Sequence, residues 1–168
     1  MDHIAVAAVG ILAVSFMVAA GAKLVSTASF RQTLSQLLPS IPPRQTALIT
    51  IFIPAFEFGL GLWILSGLHR PAALVTAILT LLAFSTALQW LHIHSPSAAC
   101  HCFGDLLPHQ WQQGAWAQVR NVALLLLAAL GLNERAVLAP IALVAIVWIA
   151  VLAGWKRWAQ HRPIGTPG

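Results

Sequence analysis

Five nearly uncharged apolar runs, at 4–25, 46–68, 72–91, 117–132 and 137–155, dominate this chain, separated by two longer polar intervals at 26–45 and 92–116 and two short ones at 69–71 and 133–136. A helix rises ~1.5 Å per residue and must cross ~30 Å of hydrocarbon, so about 20 such residues make one span. In lipid every backbone polar group must find its partner inside the segment, which excludes an open sheet. The pattern predicts an all-α, polytopic transmembrane helical bundle of about five spans, with residues 1–158 as one domain. The tail at 159–168 has Pro and Gly but no apolar pattern and is predicted to be disordered. Charge agrees with this reading. Only 8% of the residues are charged, where a soluble domain carries roughly 25%, so the chain cannot cover a water-facing surface. The formal net charge is +5. Its basic residues stand singly or in pairs at the ends of apolar runs, as membrane anchors do. The lipid bilayer, not nucleic acid, is the expected partner.

The first run is longer than the apolar part of a signal peptide and lacks a basic leader, since Asp2 precedes it. It reads as a retained helix, with Lys23 near its end either reaching to the interface or facing inward. In the interval 26–45, Phe30, Leu34, Leu37 and Leu38 recur at helical spacing, with Arg31, Gln32 and Gln36 between them. That spacing predicts a short amphipathic helix lying on the membrane, ended by Pro39, Pro42 and Pro43; an ordinary loop is the alternative. Glu57 lies inside the second span. A carboxylate at such depth costs roughly 2.5–3.5 kcal/mol on insertion scales, so it is expected to face the bundle interior near Lys23 or Arg120. Its role there is either structural or functional. His69, Arg70 and Pro71 are expected to form the tight turn to the third span.

The two cysteines of the chain, Cys100 and Cys102, sit one residue apart in the loop between spans three and four. They have three readings. A disulfide at this spacing is strained, and a strained, accessible disulfide suits exchange rather than stapling. Arg120 and a protonated His101 are candidate cations that would favour the reactive thiolate. Alternatively, His92, His94, Cys100, His101, Cys102 and His109 form a thiolate and imidazole set suited to copper or zinc, although their spacing matches no standard zinc motif. The pair could also be inert.

The run Cys100-His101-Cys102-Phe103-Gly104, followed by Arg120-Asn121, resembles the MauE-like membrane proteins of methylamine utilisation, which are related to the broader DoxX-like group. Ala20-Gly21-Ala22-Lys23-Leu24, Phe30 and Leu37-Leu38-Pro39 look like that family's first helix and following loop. Pro54 to Gly61, with Glu57 inside it, looks like its second-helix acidic motif. The resemblance covers roughly residues 10–132, and a fifth span accords with MauE itself. Where the family commonly has Gly between the cysteines this chain has His101, which keeps metal binding open. The resemblance implies a membrane thiol–disulfide oxidoreductase that works with a thioredoxin-like partner. Its implied task is oxidative maturation of a periplasmic protein, such as the small subunit of methylamine dehydrogenase. It implies Cys100 and Cys102 as the cycling pair. Glu57, Lys23, Arg120 and Asn121 would form a polar network beneath the loop. A quinone, copper or zinc is a candidate cofactor, and no motif demands any of them. A copper- or zinc-handling membrane protein and a non-catalytic subunit of a redox complex are the other two function classes.

Sidedness has two conflicting signals. Lys23, Arg31, Arg44, Arg120, Lys156, Arg157 and Arg162 fall on the side of the cysteine loop, against Arg70 and Arg135 on the other. The positive-inside rule then puts the loop in the cytoplasm, whereas the family role puts it in the periplasm. The reading adopted is a bacterial inner-membrane protein with a periplasmic cysteine loop.

Overall fold

The computed structural model describes residues 3–94 and 114–132. Five helices account for nearly all of them: α1 (His3–Val25), α2 (Thr27–Leu37), α3 (Pro43–Ser66), α4 (Arg70–His94) and α5 (Gly114–Leu132). No strand occurs among the described residues. Three helices, His3–Val25, Pro43–Ser66 and Arg70–Leu91, are long and apolar enough to cross a membrane, and Ala117–Leu132 is a shorter apolar helix. Four of the predicted spans are therefore helices. The fifth, at 137–155, the tail at 159–168 and the cysteine loop lie outside the described residues.

The helices are apolar on both sides because they have two apolar surroundings. Leu12, Phe16, Leu60, Leu74, Leu81 and Leu125 are buried between helices, while Ile11, Val18, Phe52, Leu62, Leu79 and Leu126 stay exposed among the described residues, as lipid-facing side chains do. α1 packs on α3 and α5, and α4 packs on α5 and α3, which closes a ring of four. Small residues bring the backbones together, as in other membrane bundles. Ala13, Ala20, Ala73, Ala77 and Ala128 are fully buried. Gly61 lies so close to α1 that a Cβ there would sit 2.7 Å from Met17 Cγ and 3.0 Å from the Ala13 carbonyl oxygen.

α1 runs into α2 with a bend at Ser26. The i→i−4 backbone bonds continue through it, from Ser26 N–H to the Ala22 carbonyl and from Phe30 N–H to the Ser26 carbonyl, both 3.0 Å. α2 exists as the Phe30/Leu34 spacing predicts, but its placement differs. Phe30, Thr33 and Leu34 are buried, and α2 packs against α3, α4 and α1. Its apolar stripe therefore meets protein, not the bilayer.

Helix ends also depart from the apolar runs, for local reasons. Pro43 opens α3 instead of closing α2, because a proline at the first helical position gives up a donor that has no partner anyway. Inside α3, Pro54 is buried, and Thr46 and Thr50 return their hydroxyls to the carbonyls of Pro42 and Thr46 at 3.3 and 2.7 Å. The turn to α4 is Gly67–Leu68–His69, not His69–Arg70–Pro71. Gly67 closes α3 in the left-handed conformation (φ 69°). Arg70 and Pro71 already belong to the first turn of α4. Trp63 locks the corner by donating its indole N–H to the Leu68 carbonyl at 2.8 Å.

Candidate functional site

Lys23 is two residues from the end of α1, and its ammonium turns inward. Nζ donates to both carboxylate oxygens of Glu57 on α3, at 2.5 and 2.6 Å. Both side chains are almost sealed, with 3% and 1% of their surface exposed. The inward alternative for Lys23 is the observed one, and the expected pairing with Glu57 is present. Two aromatic rings complete the cage: Phe84 of α4 lies 5.0 Å and Phe30 of α2 5.6 Å from the ammonium. Both are within the ~6 Å range of a cation–π contact, which adds most where water is excluded.

α5 supplies the next two polar groups. Arg120 and Asn121 line the same small cavity as Lys23 and Glu57, with Ser15, Phe16, Leu81 and Leu124 among its walls. About 20 Å³ of it is open to the centres of water molecules. That is enough for one water, which needs roughly 10–15 Å³ by this measure, and far less than the ~150 Å³ that holds a benzene ring. A quinone ring does not fit this cavity. Asn121 is held by its amide N–H to Ser85 Oγ of α4 at 3.1 Å. One turn nearer the start of α5, Gln118 donates to the Ser85 carbonyl at 3.1 Å and faces Gln89 Oε1 at 3.4 Å.

Four of the residues singled out in the sequence, Lys23, Glu57, Arg120 and Asn121, are thus brought together by three different helices. Cys100, His101, Cys102 and His109 lie outside the described residues. His92 and His94 belong to the last turn of α4. Among the described residues no three His, Cys, Asp or Glu side chains converge as a metal site would require. The cage residue Phe84 and the amide and hydroxyl groups of Ser85, Gln89 and Gln118 were not singled out. The available signal was the i, i+4 pair Ser85/Gln89 and the i, i+3 pair Gln118/Asn121, each a polar stripe on an otherwise apolar helix.

The family model for methylamine utilisation protein MauE matches residues 1–134. The chain belongs to the MauE family. The match takes in all five helices and the interval that carries Cys100 and Cys102, and it stops short of the fifth predicted span. No curated protein and no solved structure matches the chain. Family membership and the apolar helices together identify a multi-pass membrane protein associated with methylamine utilisation.

Proposed function

We propose that this MauE-family chain is a membrane thiol–disulfide oxidoreductase. Its Cys100–Cys102 pair exchanges disulfides with a thioredoxin-like partner and so supports oxidative maturation of a periplasmic protein, the methylamine dehydrogenase small subunit or one like it. The observation that carries the reading is the buried cluster of Lys23, Glu57, Arg120 and Asn121. It stands toward the end of the bundle where α4 stops and α5 begins, and in the sequence both cysteines fall between those two helices. Arg120 is six residues into α5, ~9 Å from its start at ~1.5 Å per residue. The start of a helix and a guanidinium both favour a thiolate placed near them.

The exchange balances within the two proteins. A partner thiolate attacks one sulfur of the Cys100–Cys102 disulfide, and the displaced sulfur leaves as a thiolate. The partner's second thiol then resolves the mixed disulfide. One S–S bond forms in the partner as one is broken in the pair, and two protons pass to the sulfurs released. Glu57 supplies the acid–base function, and Lys23 holds its charge.

The test is non-reducing electrophoresis of Cys100→Ser and Cys102→Ser with a thioredoxin-like partner present. Each substitution abolishes turnover while the bundle stays folded, and one of the two accumulates a covalent adduct because its remaining thiol has no neighbour to resolve it. Absence of any adduct, with no redox-dependent change in thiol labelling of the wild type, sinks the reading. Tight copper or zinc binding lost in the same two variants would replace it with metal handling.

A further inference from the structure

The Lys23–Glu57 pair is closed off by apolar groups on most sides: Phe30 of α2, Phe84 of α4, and Phe16, Leu81 and Leu124 around the cavity. Between α4 and α5 the wall changes character. Asn121, Ser85, Gln118 and Gln89 follow one another along the seam, linked by contacts of 3.1, 3.1 and 3.4 Å. The series has a direction. Asn121 lines the cavity of the buried pair, and Ser85 is bonded to Asn121. Gln118 is four residues from the start of α5 and Gln89 five from the end of α4, or ~6 and ~7.5 Å of helix.

Two features of this seam call for water. Gln118 is 7% exposed, and its Oε1 has no hydrogen-bond partner among the described residues. Reversing the amide does not help, since the oxygen would then face the Ser85 carbonyl. A buried acceptor left bare costs about 1–3 kcal/mol, and an ordered water is the usual remedy. The second feature is the cavity beside Glu57. It has room for one water, and Lys23, Glu57, Arg120 and Asn121 are among the residues that line it, although most of the wall is apolar.

We propose that the α4–α5 seam, from Gln89 through Gln118 and Ser85 to Asn121, is a hydrated proton path that joins the cysteine-loop end of the bundle to the Lys23–Glu57 pair. The side-chain amides do not carry the proton; they hold the waters that do. Ser85 Oγ accepts from Asn121 and keeps its own hydrogen free to donate. Each water, and the Ser85 hydroxyl between them, takes a proton on one side and releases one on the other. The net change is one proton moved from loop-side water to the Glu57 carboxylate, with no electron transferred and Lys23 still an ammonium. The proposed thiol chemistry gives this path its use, but the path is tested without it.

The chain has two lysines, Lys23 and Lys156. Protein carrying 15N in its lysine side chains, in lipid nanodiscs and without any partner, therefore gives two ammonium signals, and Lys156→Arg assigns them. Saturation transfer from water then reads solvent exchange at Lys23. The wild type exchanges despite its burial. Gln118→Met, which keeps the shape but loses the water partner, and Ser85→Ala each slow that exchange by about tenfold or more. Ser15→Ala, on the α1 wall of the same cavity, leaves it unchanged. A persistent separate Lys23 signal certifies the fold, and if Gln118→Met does not fold, Ser85→Ala decides. Wild-type exchange rates in the seam variants overturn the proposal, as does a Lys23 ammonium that exchanges with no water in the wild type. Neither result touches the electrophoresis test above, and failure of that test leaves this one standing.

Discussion

A lysine or a glutamate alone in a bilayer is unfavourable by a few kcal/mol, and the observed geometry removes that cost only while both are present. Lys23→Met leaves the carboxylate without its ion-pair partner; Glu57→Gln leaves the ammonium with a neutral amide oxygen and the rings of Phe30 and Phe84. Each single substitution is expected to lower stability by about 3–5 kcal/mol, the usual penalty for stranding a buried charge. The double variant Lys23→Met/Glu57→Met recovers most of the loss, because an apolar pair suits the site at least as well as an ion pair. Thermal unfolding of the three variants in one lipid composition measures this. The double variant also separates two roles for the pair. As a structural tie it would be dispensable once replaced; under the proposed chemistry the folded double variant fails to support disulfide exchange. That Glu57 would turn inward to Lys23 or Arg120 was legible in the sequence, because an intramembrane charge is costly facing lipid; that Lys23, thirty-four positions away, is the one it pairs with came from the structure. Ser85, Gln89 and Gln118 were not legible. A hydroxyl or amide costs so much less to bury than a charge that its place in an apolar helix does not declare which neighbour it meets.

Two glycines one turn-half apart on α3 should behave oppositely, and the difference measures how tightly helices meet. At Gly61 an added Cβ collides with Met17 Cγ, which can move, and with the Ala13 carbonyl oxygen, which is backbone and cannot. Gly61→Ala should therefore separate α1 from α3 and lower stability by about 1–3 kcal/mol, the range for overpacking a close contact. At Gly59 nothing lies within 4 Å of the new atom. Gly59→Ala is then expected to be neutral or to stabilise by up to ~1 kcal/mol through helix propensity. Equal effects on the unfolding temperature would mean that α1 and α3 are not in close contact at Gly61. The existence of α2 was readable from Phe30 and Leu34, yet its partner was not. An amphipathic stripe looks the same whether lipid or protein covers it, and only the arrangement of α3 and α4 shows that protein does. Helix ends were the least legible elements. A proline stops one helix and starts the next with equal readiness, so the residues between Leu37 and Thr46 could be divided in several ways; Pro43 in fact opens α3.

Contacts run in opposite chain directions between α1 and α3 (Lys23–Glu57, Ala13–Gly61), α1 and α5 (Lys23 beside Arg120, Val9–Gly131) and α4 and α5 (Gln89–Gln118, Ser85–Asn121), and a three-residue turn joins α3 to α4, so neighbouring long helices are antiparallel. Four antiparallel helices fix which ends share a side. The start of α3 and α2 lie with the end of α4 and the start of α5; the Gly67–His69 turn lies opposite. The structure also changes the charge count that bears on orientation. Lys23 is 2% exposed and tied to Glu57, and Arg120 lines the same cavity, so neither acts as an interfacial anchor. Without those two, Arg31, Arg44, Lys156, Arg157 and Arg162 on the loop side still outnumber Arg70 and Arg135 on the other in the five-span reading, so the charge rule continues to oppose the periplasmic role proposed for the cysteines. Sided labelling decides between them. In a Cys100→Ser/Cys102→Ser background, Gln36→Cys on the exposed face of α2 and Leu68→Cys in the exposed turn report the two ends. A membrane-impermeant maleimide applied to intact cells should label Gln36→Cys and spare Leu68→Cys, and inside-out vesicles should reverse the pattern. Labelling of both from one side would break the antiparallel bundle itself. Labelling of Leu68→Cys alone in intact cells would keep the bundle and turn it over, placing the cysteine segment in the cytoplasm and removing the periplasmic partner from the proposed function.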